Sequence, residues 1–206
     1  AEPMYVPPAF TETDRARIIR LIRANPFGLL ITARDALAVS HVPFVVGEAA
    51  DGVVLRGHLA AANPQCAALD GGEALAVFSG PHAYISPSWY RTGPAVPTWN
   101  YAAVHVLGEV RPMGDADEVA AMLRALGAHD PGFDLDAMPA RYRATMLAGI
   151  RPFSLTPERV EGKWKMSQNR SEADRLGVIA KLREAPDALG REVAELIAET
   201  LPGDAA

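Results

Sequence analysis

Gly80-Pro-His-Ala-Tyr-Ile-Ser-Pro-Ser-Trp-Tyr90, followed by Val96-Pro-Thr-Trp-Asn-Tyr101 and His105, is the stretch on which the reading of this chain turns. Two of the three tryptophans lie between residues 89 and 99, with Tyr84, Tyr90 and Tyr101 around them. Such a cluster offers flat apolar faces with polar edges, suited to a planar aromatic ligand or to a subunit interface. Aromatic residues also fill ordinary cores, and composition alone leaves both readings open. The prolines favour a rigid, shaped loop, because each fixes its own backbone angle.

The flanks of this segment read as short strands. Phe27 to Thr32, Ala38 to Val46, Val53 to His58, Ala74 to Phe78, Ala83 to Ser86 and Val104 to Val110 are apolar or alternating runs. Ala49 to Gly52, Gly71-Gly72, Gly80-Pro81 and Gly93-Pro94 punctuate them. Several short strands at this spacing predict a barrel or sandwich. Phe153 to Leu155 and Val160 to Met166 are expected to return to the same sheet. Helices bracket the strands. One is expected from Thr13 to Ala24, with Thr11 and Asp14 at capping-box spacing and Asn25-Pro26 as its stop. Asp115 and Glu118 open a second, striped by Val119, Met122, Leu123 and Leu126, and a shorter one covers Pro139 to Ala148. Ser171 and Asp174 open another with Leu176, Ile179 and Leu182 on one side. Pro186 interrupts it before a last helix striped by Leu189, Val193, Leu196 and Ile197.

Composition narrows the class. The chain has 206 residues, 49% hydrophobic and 22% charged, which excludes a disordered protein. Its net charge of −5 argues against whole-chain attraction to nucleic acid or an anionic membrane. No apolar run approaches a membrane span, and Met4 reads as the natural start with no signal-peptide order after it. The lone Cys66 cannot form an internal disulfide, so a reducing cytoplasm fits best. Neither HExxH, G-x-S-x-G, G-x-G-x-x-G nor a Walker loop occurs, and no metal site is expected.

Two further segments carry chemistry. Gly57-His-Leu-Ala-Ala-Ala-Asn-Pro-Gln65 reads as a strand end turning into a short helix, whose free amides could meet an anion, with Asn63 or Gln65 as added donors. An ordinary strand–helix junction is the alternative. Glu161-Gly-Lys-Trp-Lys-Met-Ser-Gln-Asn-Arg170 lies in a basic region. Residues 151–183 hold eight Lys or Arg against four Asp or Glu, +4 locally, so the rest of the chain is −9. Such a strand can grip a phosphate, or it can be a solvated edge that discourages pairing.

Taken together, these motifs resemble the PaiB family of FMN-binding split-barrel proteins, often labelled negative transcriptional regulators. The resemblance runs from Met4 to about Leu201. It rests on Met4-Tyr-Val-Pro-Pro-Ala-Phe10, Ser40-His-Val-Pro-Phe44, the segments 57–65, 80–90 and 96–105, and Lys165-Met-Ser-Gln-Asn-Arg170. It implies an α+β, mainly-β fold: a six-stranded split β-barrel of Greek-key type with peripheral helices. The barrel domain would span residues 4–170, with helical insertions at about 115–148, and a C-terminal helical pair, 171–201, would pack on the barrel or on a dimer partner. An obligate homodimer with FMN in the clefts between subunits follows from the same likeness. Lys163, Lys165 and Arg170 are then the phosphate candidates, with Ser167 and Gln168 as neutral donors beside them. Trp89 and Trp99 would wall the ring, with Asn100 and His41 at its edge; Thr32, His58 and Asn63 complete the cofactor set. Two departures stand out. Ala60, Ala61 and Ala62 leave the strand–helix turn without the Arg or Lys that related barrels often place there, and Met166 follows Lys165 where Leu is expected. The regulatory label conflicts with the acidic chain, since a DNA reader should show a basic face and a recognition element. The alternatives are an FMN-dependent oxidoreductase or flavin reductase, a repressor binding DNA through residues 151–183, and a cleft that is empty or holds another planar ligand such as haem.

Overall fold

The computed structural model describes residues 1–49 and 52–202, so the turn expected over Ala49 to Gly52 falls partly outside the described residues. Among them run eight strands: β1 (Thr11–Glu12), β2 (Phe27–Thr32), β3 (Ala38–Pro43), β4 (Val45–Ala49), β5 (Gly52–Ala60), β6 (Gly72–Ile85), β7 (Thr98–Pro112) and β8 (Ile150–Lys165). Five α helices accompany them: α1 (Arg15–Ala24), α2 (Ala116–Gly127), α3 (Ala140–Ala148), α4 (Glu172–Arg183) and α5 (Ala188–Ala198). The sheet order is β3-β2-β6-β7-β8-β5-β4, with β1 paired to β8 through Thr11↔Lys163 and Glu12↔Gly162. The mainly-β reading holds, and the strand count differs from six for local reasons.

Ala38 to Val46 breaks at Phe44, whose ring turns into the core against Phe78 (5.2 Å) and Phe153 (6.1 Å). Conversely, the two strands expected around Gly80-Pro81 are one. Residues 74, 76 and 78 are buried, then Gly80 and Pro81 both are, then 83 and 85. The alternation thus shifts by one residue without ending the strand, as at a bulge. Pro81 is tolerated because the β2 pairing of β6 stops at Val77. Pro157 sits in β8 on the same terms, beyond the β5 pairing that ends at Leu155. Close approach also needs glycine here. A Cβ on Gly108 of β7 would stand 2.0 Å from the Thr156 carbonyl oxygen.

Asp14 rather than Thr11 caps α1: its Oδ1 accepts from the amides of Ala16 (2.8 Å) and Arg17 (3.3 Å), while Thr11 belongs to β1. Asp115 caps α2 through the Glu118 amide and Ser171 caps α4 through the Asp174 amide, as the sequence predicts.

By its contacts the chain forms two compact units. The first comprises residue 1 with 19–78 and 105–160; its core holds Leu30, Val42, Phe44, Leu55, Phe78, Phe153 and Leu155. The second comprises residues 2–18, 79–104 and 161 onward, and its core holds Ile85, Val104, Met166, Val178, Val193 and Ile197. Within it, α4 and α5 pack on each other. The buried face of α4 is Asp174, Val178, Ile179 and Leu182. Leu176, expected on that face, is 46% exposed.

Candidate functional site

The second unit gathers most of the site candidates. Lys165 ends β8, and its Nζ donates to Thr98 Oγ1 at the start of β7. Burial lowers the pKa of this ammonium; Tyr101 offsets part of that and Lys163 adds to it. Beside Thr98, the Trp99 indole is 53% exposed, with His82 and Tyr84 against it at 6.2 and 6.1 Å between ring centroids. The next residue, Asn100, is fully buried. Its Nδ2 donates to Ser167 Oγ (2.8 Å), while its Oδ1 is buried without a partner. Ser167 stands at φ 60°, in the left-handed region that an L-residue enters at a cost. Gln168 locks the same turn: its Oε1 accepts from the Met166 amide (2.7 Å) and its Nε2 donates to the Trp164 carbonyl (2.6 Å).

Lys163 is spoken for. Its Nζ donates to the Tyr5 carbonyl (2.8 Å), and it lies over the rings of Tyr5 and Tyr101 at 5.5 and 5.3 Å. Only 9% exposed, it holds the amino-terminal segment, so Lys165 carries the phosphate expectation without it. Arg170 stacks on Tyr90, 4.6 Å from guanidinium carbon to ring centroid. Trp89 closes a 3₁₀ turn, Pro87–Trp89, and α4 presses on it so tightly that a Cβ on Gly177 would meet the Trp89 carbonyl oxygen at 2.3 Å.

That loop has a second anchor which sequence reasoning missed. Asp174, 1% exposed, accepts from the amides of Arg91 (2.8 Å) and Thr92 (2.9 Å) and from Thr92 Oγ1 (2.6 Å). Hydrogen bonds from Thr92 above all, then from Arg91 and Ser171, hold its pKa down at about 2. The sequence offered only its capping position three residues after Ser171. Nothing local ties it to a loop some eighty residues earlier.

The remaining candidates belong to the first unit. Thr32 and Asn63 meet through Gln65, whose Nε2 donates to Thr32 Oγ1 (3.1 Å), to the Leu30 carbonyl (3.0 Å) and to the Ala38 carbonyl (3.3 Å). Asn63 accepts from the Gln65 amide and donates to Ser40 Oγ (3.0 Å). The anion grip predicted for free amides in this turn is largely used up. Ala61 N–H bonds the Gly149 carbonyl, Asn63 N–H that of Ala60, Gln65 N–H the Asn63 side chain, and Cys66 N–H the Asn63 carbonyl. A short 3₁₀ turn (Pro64–Ala68) that caps itself leaves few donors for a phosphate. His41 is exposed and stacks on Phe27 at 5.7 Å. His58 shares no partner with these groups and lines a cavity beside α2 and α3.

A family model described as "Putative FMN-binding domain" matches residues 4–159. The chain belongs to this FMN-binding, PaiB-type family. It is 33% identical over 204 residues to "Protease synthase and sporulation protein PAI 2" of Bacillus subtilis, covering 96% of this chain and 98% of that protein. An uncharacterized protein of Emericella nidulans is 30% identical over 243 residues, covering 95% of this chain and 97% of its own. Among solved structures, the flavocytochrome Anf3 from Azotobacter vinelandii aligns with a TM-score of 0.61 at 15% identity, over 81% of this chain and 75% of that one. The FAD and haem binding protein from Mycobacterium smegmatis gives 0.59 at 17% identity, over 75% and 73%. These similarities establish the flavin-binding split-barrel fold expected from the motifs. FMN is the cofactor of the family to which the chain belongs.

Proposed function

We infer that this PaiB-type chain is a cytoplasmic, homodimeric FMN-binding protein whose regulatory role, implied by the family likeness, runs through the flavin or a partner protein rather than through direct contact with DNA. The observation that carries the flavin reading is Lys165 on Thr98, a desolvated cation one residue from an exposed indole. FMN asks for that combination: a phosphate of charge near −2 and a flat apolar ring. Lys165 and the Thr98 hydroxyl would hold the phosphate, and Trp99 would face the ring. When bound, FMN supplies a ring that accepts and returns electrons; this chain's residues bind and orient it. The turn locked by Asn100, Ser167 and Gln168 fixes where Lys165 ends β8. Residues 4–170 would form the flavin-binding domain, with the 171–201 pair clamping the aromatic loop. The dimer is supported by exposed aromatic surface at Tyr84 and Trp99, which a second subunit would cover.

Replacing Lys165 with Ala should weaken FMN about ten- to a hundredfold, the loss of a charge-assisted hydrogen bond of about 1.5–3 kcal/mol. Riboflavin, lacking the phosphate, should bind almost as before. Equal losses for both flavins would assign Lys165 to structure instead. Light scattering should give about 44 kDa, twice the 22.0 kDa chain, and a monodisperse single chain at micromolar concentration would exclude the dimer.

A further inference from the structure

The helical insertion encloses space that neither the fold nor the flavin uses. A cavity of about 440 Å³ lies in the first unit among α2, the segment leading into α3, α3 itself and the start of β8. Leu123, Leu126, Leu135, Met138 and Ile150 line it, and His58 of β5 supplies an imidazole. Three observations mark it as more than loose packing. Its volume and mostly apolar lining match a small-molecule pocket rather than a water site, because water needs several polar partners. Second, α3 buries none of its nine residues, yet Tyr142, Met146 and Leu147 on it line the cavity. An apolar helix face held against an empty volume forfeits the contacts that would stabilise its position. Third, His58 Nδ1 is buried with no hydrogen-bond partner, and burial lowers the ring's pKa, so a neutral imidazole keeps hydrogen-bonding capacity unused. His58 alternates with Leu55, Gly57 and Leu59, which are buried on the other face of β5, so it points to the helical side.

We propose that this cavity binds a neutral, compact hydrophobe carrying one hydrogen-bonding group, a phenol-like aromatic, with His58 as its polar contact and α3 as its cover. The site is separate from Lys165 and Trp99 and does not depend on the flavin reading. The probes are 2-naphthol and naphthalene, titrated against the full chain by fluorescence, with FMN titrated in parallel. Wild type should bind both and prefer 2-naphthol about two- to tenfold, the span expected of one neutral hydrogen bond. His58→Phe should erase that preference while naphthalene still binds. Leu126→Trp, filling the cavity, should weaken both probes at least about tenfold and leave FMN affinity unchanged. Leu123→Phe serves the same end should Leu126→Trp lose its far-ultraviolet dichroism. Saturating 2-naphthol should not shift the FMN titration. The proposal is overturned if neither probe binds wild type, if the preference survives His58→Phe, or if both folded cavity-filling variants bind as wild type does. Displacement of FMN by 2-naphthol would also overturn it, by making the cavity part of the flavin site.

Discussion

Ser167 offers the sharpest test of the turn that ends β8. Its hydroxyl accepts from buried Asn100 Nδ2 at 2.8 Å, and its backbone sits at φ 60°. These two properties pull in opposite directions on substitution, and a pair of variants separates them. Ser167→Ala removes the acceptor and leaves the Asn100 amide without a partner, a loss of about 1–3 kcal/mol. The left-handed strain is the same in Ser and Ala, so it cancels. Ser167→Gly loses the same bond but is relieved of about 1–2 kcal/mol of strain. Against this, glycine's freer unfolded chain costs about 0.4–1 kcal/mol. The glycine variant should therefore be the more stable of the two by about 0.5–1 kcal/mol, with both below wild type. With a urea slope of about 2–3 kcal/mol/M, that places its midpoint about 0.2–0.5 M above that of the alanine variant. Equilibrium urea unfolding at one fixed protein concentration measures it, by tryptophan emission and far-ultraviolet dichroism together. An alanine variant as stable as the glycine variant, at equal slopes, would refute the left-handed assignment.

Asp174 should make stability acid-sensitive. Its folded pKa of about 2 lies below its ordinary 3.8, so its contribution is complete above about 3.8 and fades as pH falls towards 2. Thermal unfolding from pH 5 to 2 should show Asp174→Asn losing less stability than wild type across that window, and parallel curves would refute the assignment. Gly177→Ala should destabilise by about 1–3 kcal/mol, because its Cβ would lie 2.3 Å from the Trp89 carbonyl oxygen and neither backbone can yield easily. A midpoint within about 0.3 M of wild type in urea would mean that α4 does not press on that turn. DNA anisotropy titrations should find nothing tighter than about micromolar near physiological salt, given the net charge of −5. Nanomolar, sequence-dependent binding would restore a repressor reading.

Local sequence signals determined the elements themselves. Hydrophobic alternation placed β2 at the observed bounds, Asn25-Pro26 stopped α1, and Asp115 and Ser171 capped the helices they precede. The motifs around Trp89, Trp99 and Lys165 were specific enough to give the fold and the flavin, because such residue orders are rare outside one family. Periodicity failed where pairing distant in sequence decides the outcome. Pro81 and Pro157 looked like strand ends, and they are not, since the neighbouring strand has already stopped pairing when each is reached. Asp174 and Gly177 looked like ordinary helix positions until α4 came to rest on residues 87–92. Tertiary contact likewise tied Lys163 to the Tyr5 carbonyl, filled the amides of the Asn63 turn, and left His58 facing a cavity. A side chain's type and spacing fix what it can bond; which partner satisfies it depends on segments brought together only when the chain folds.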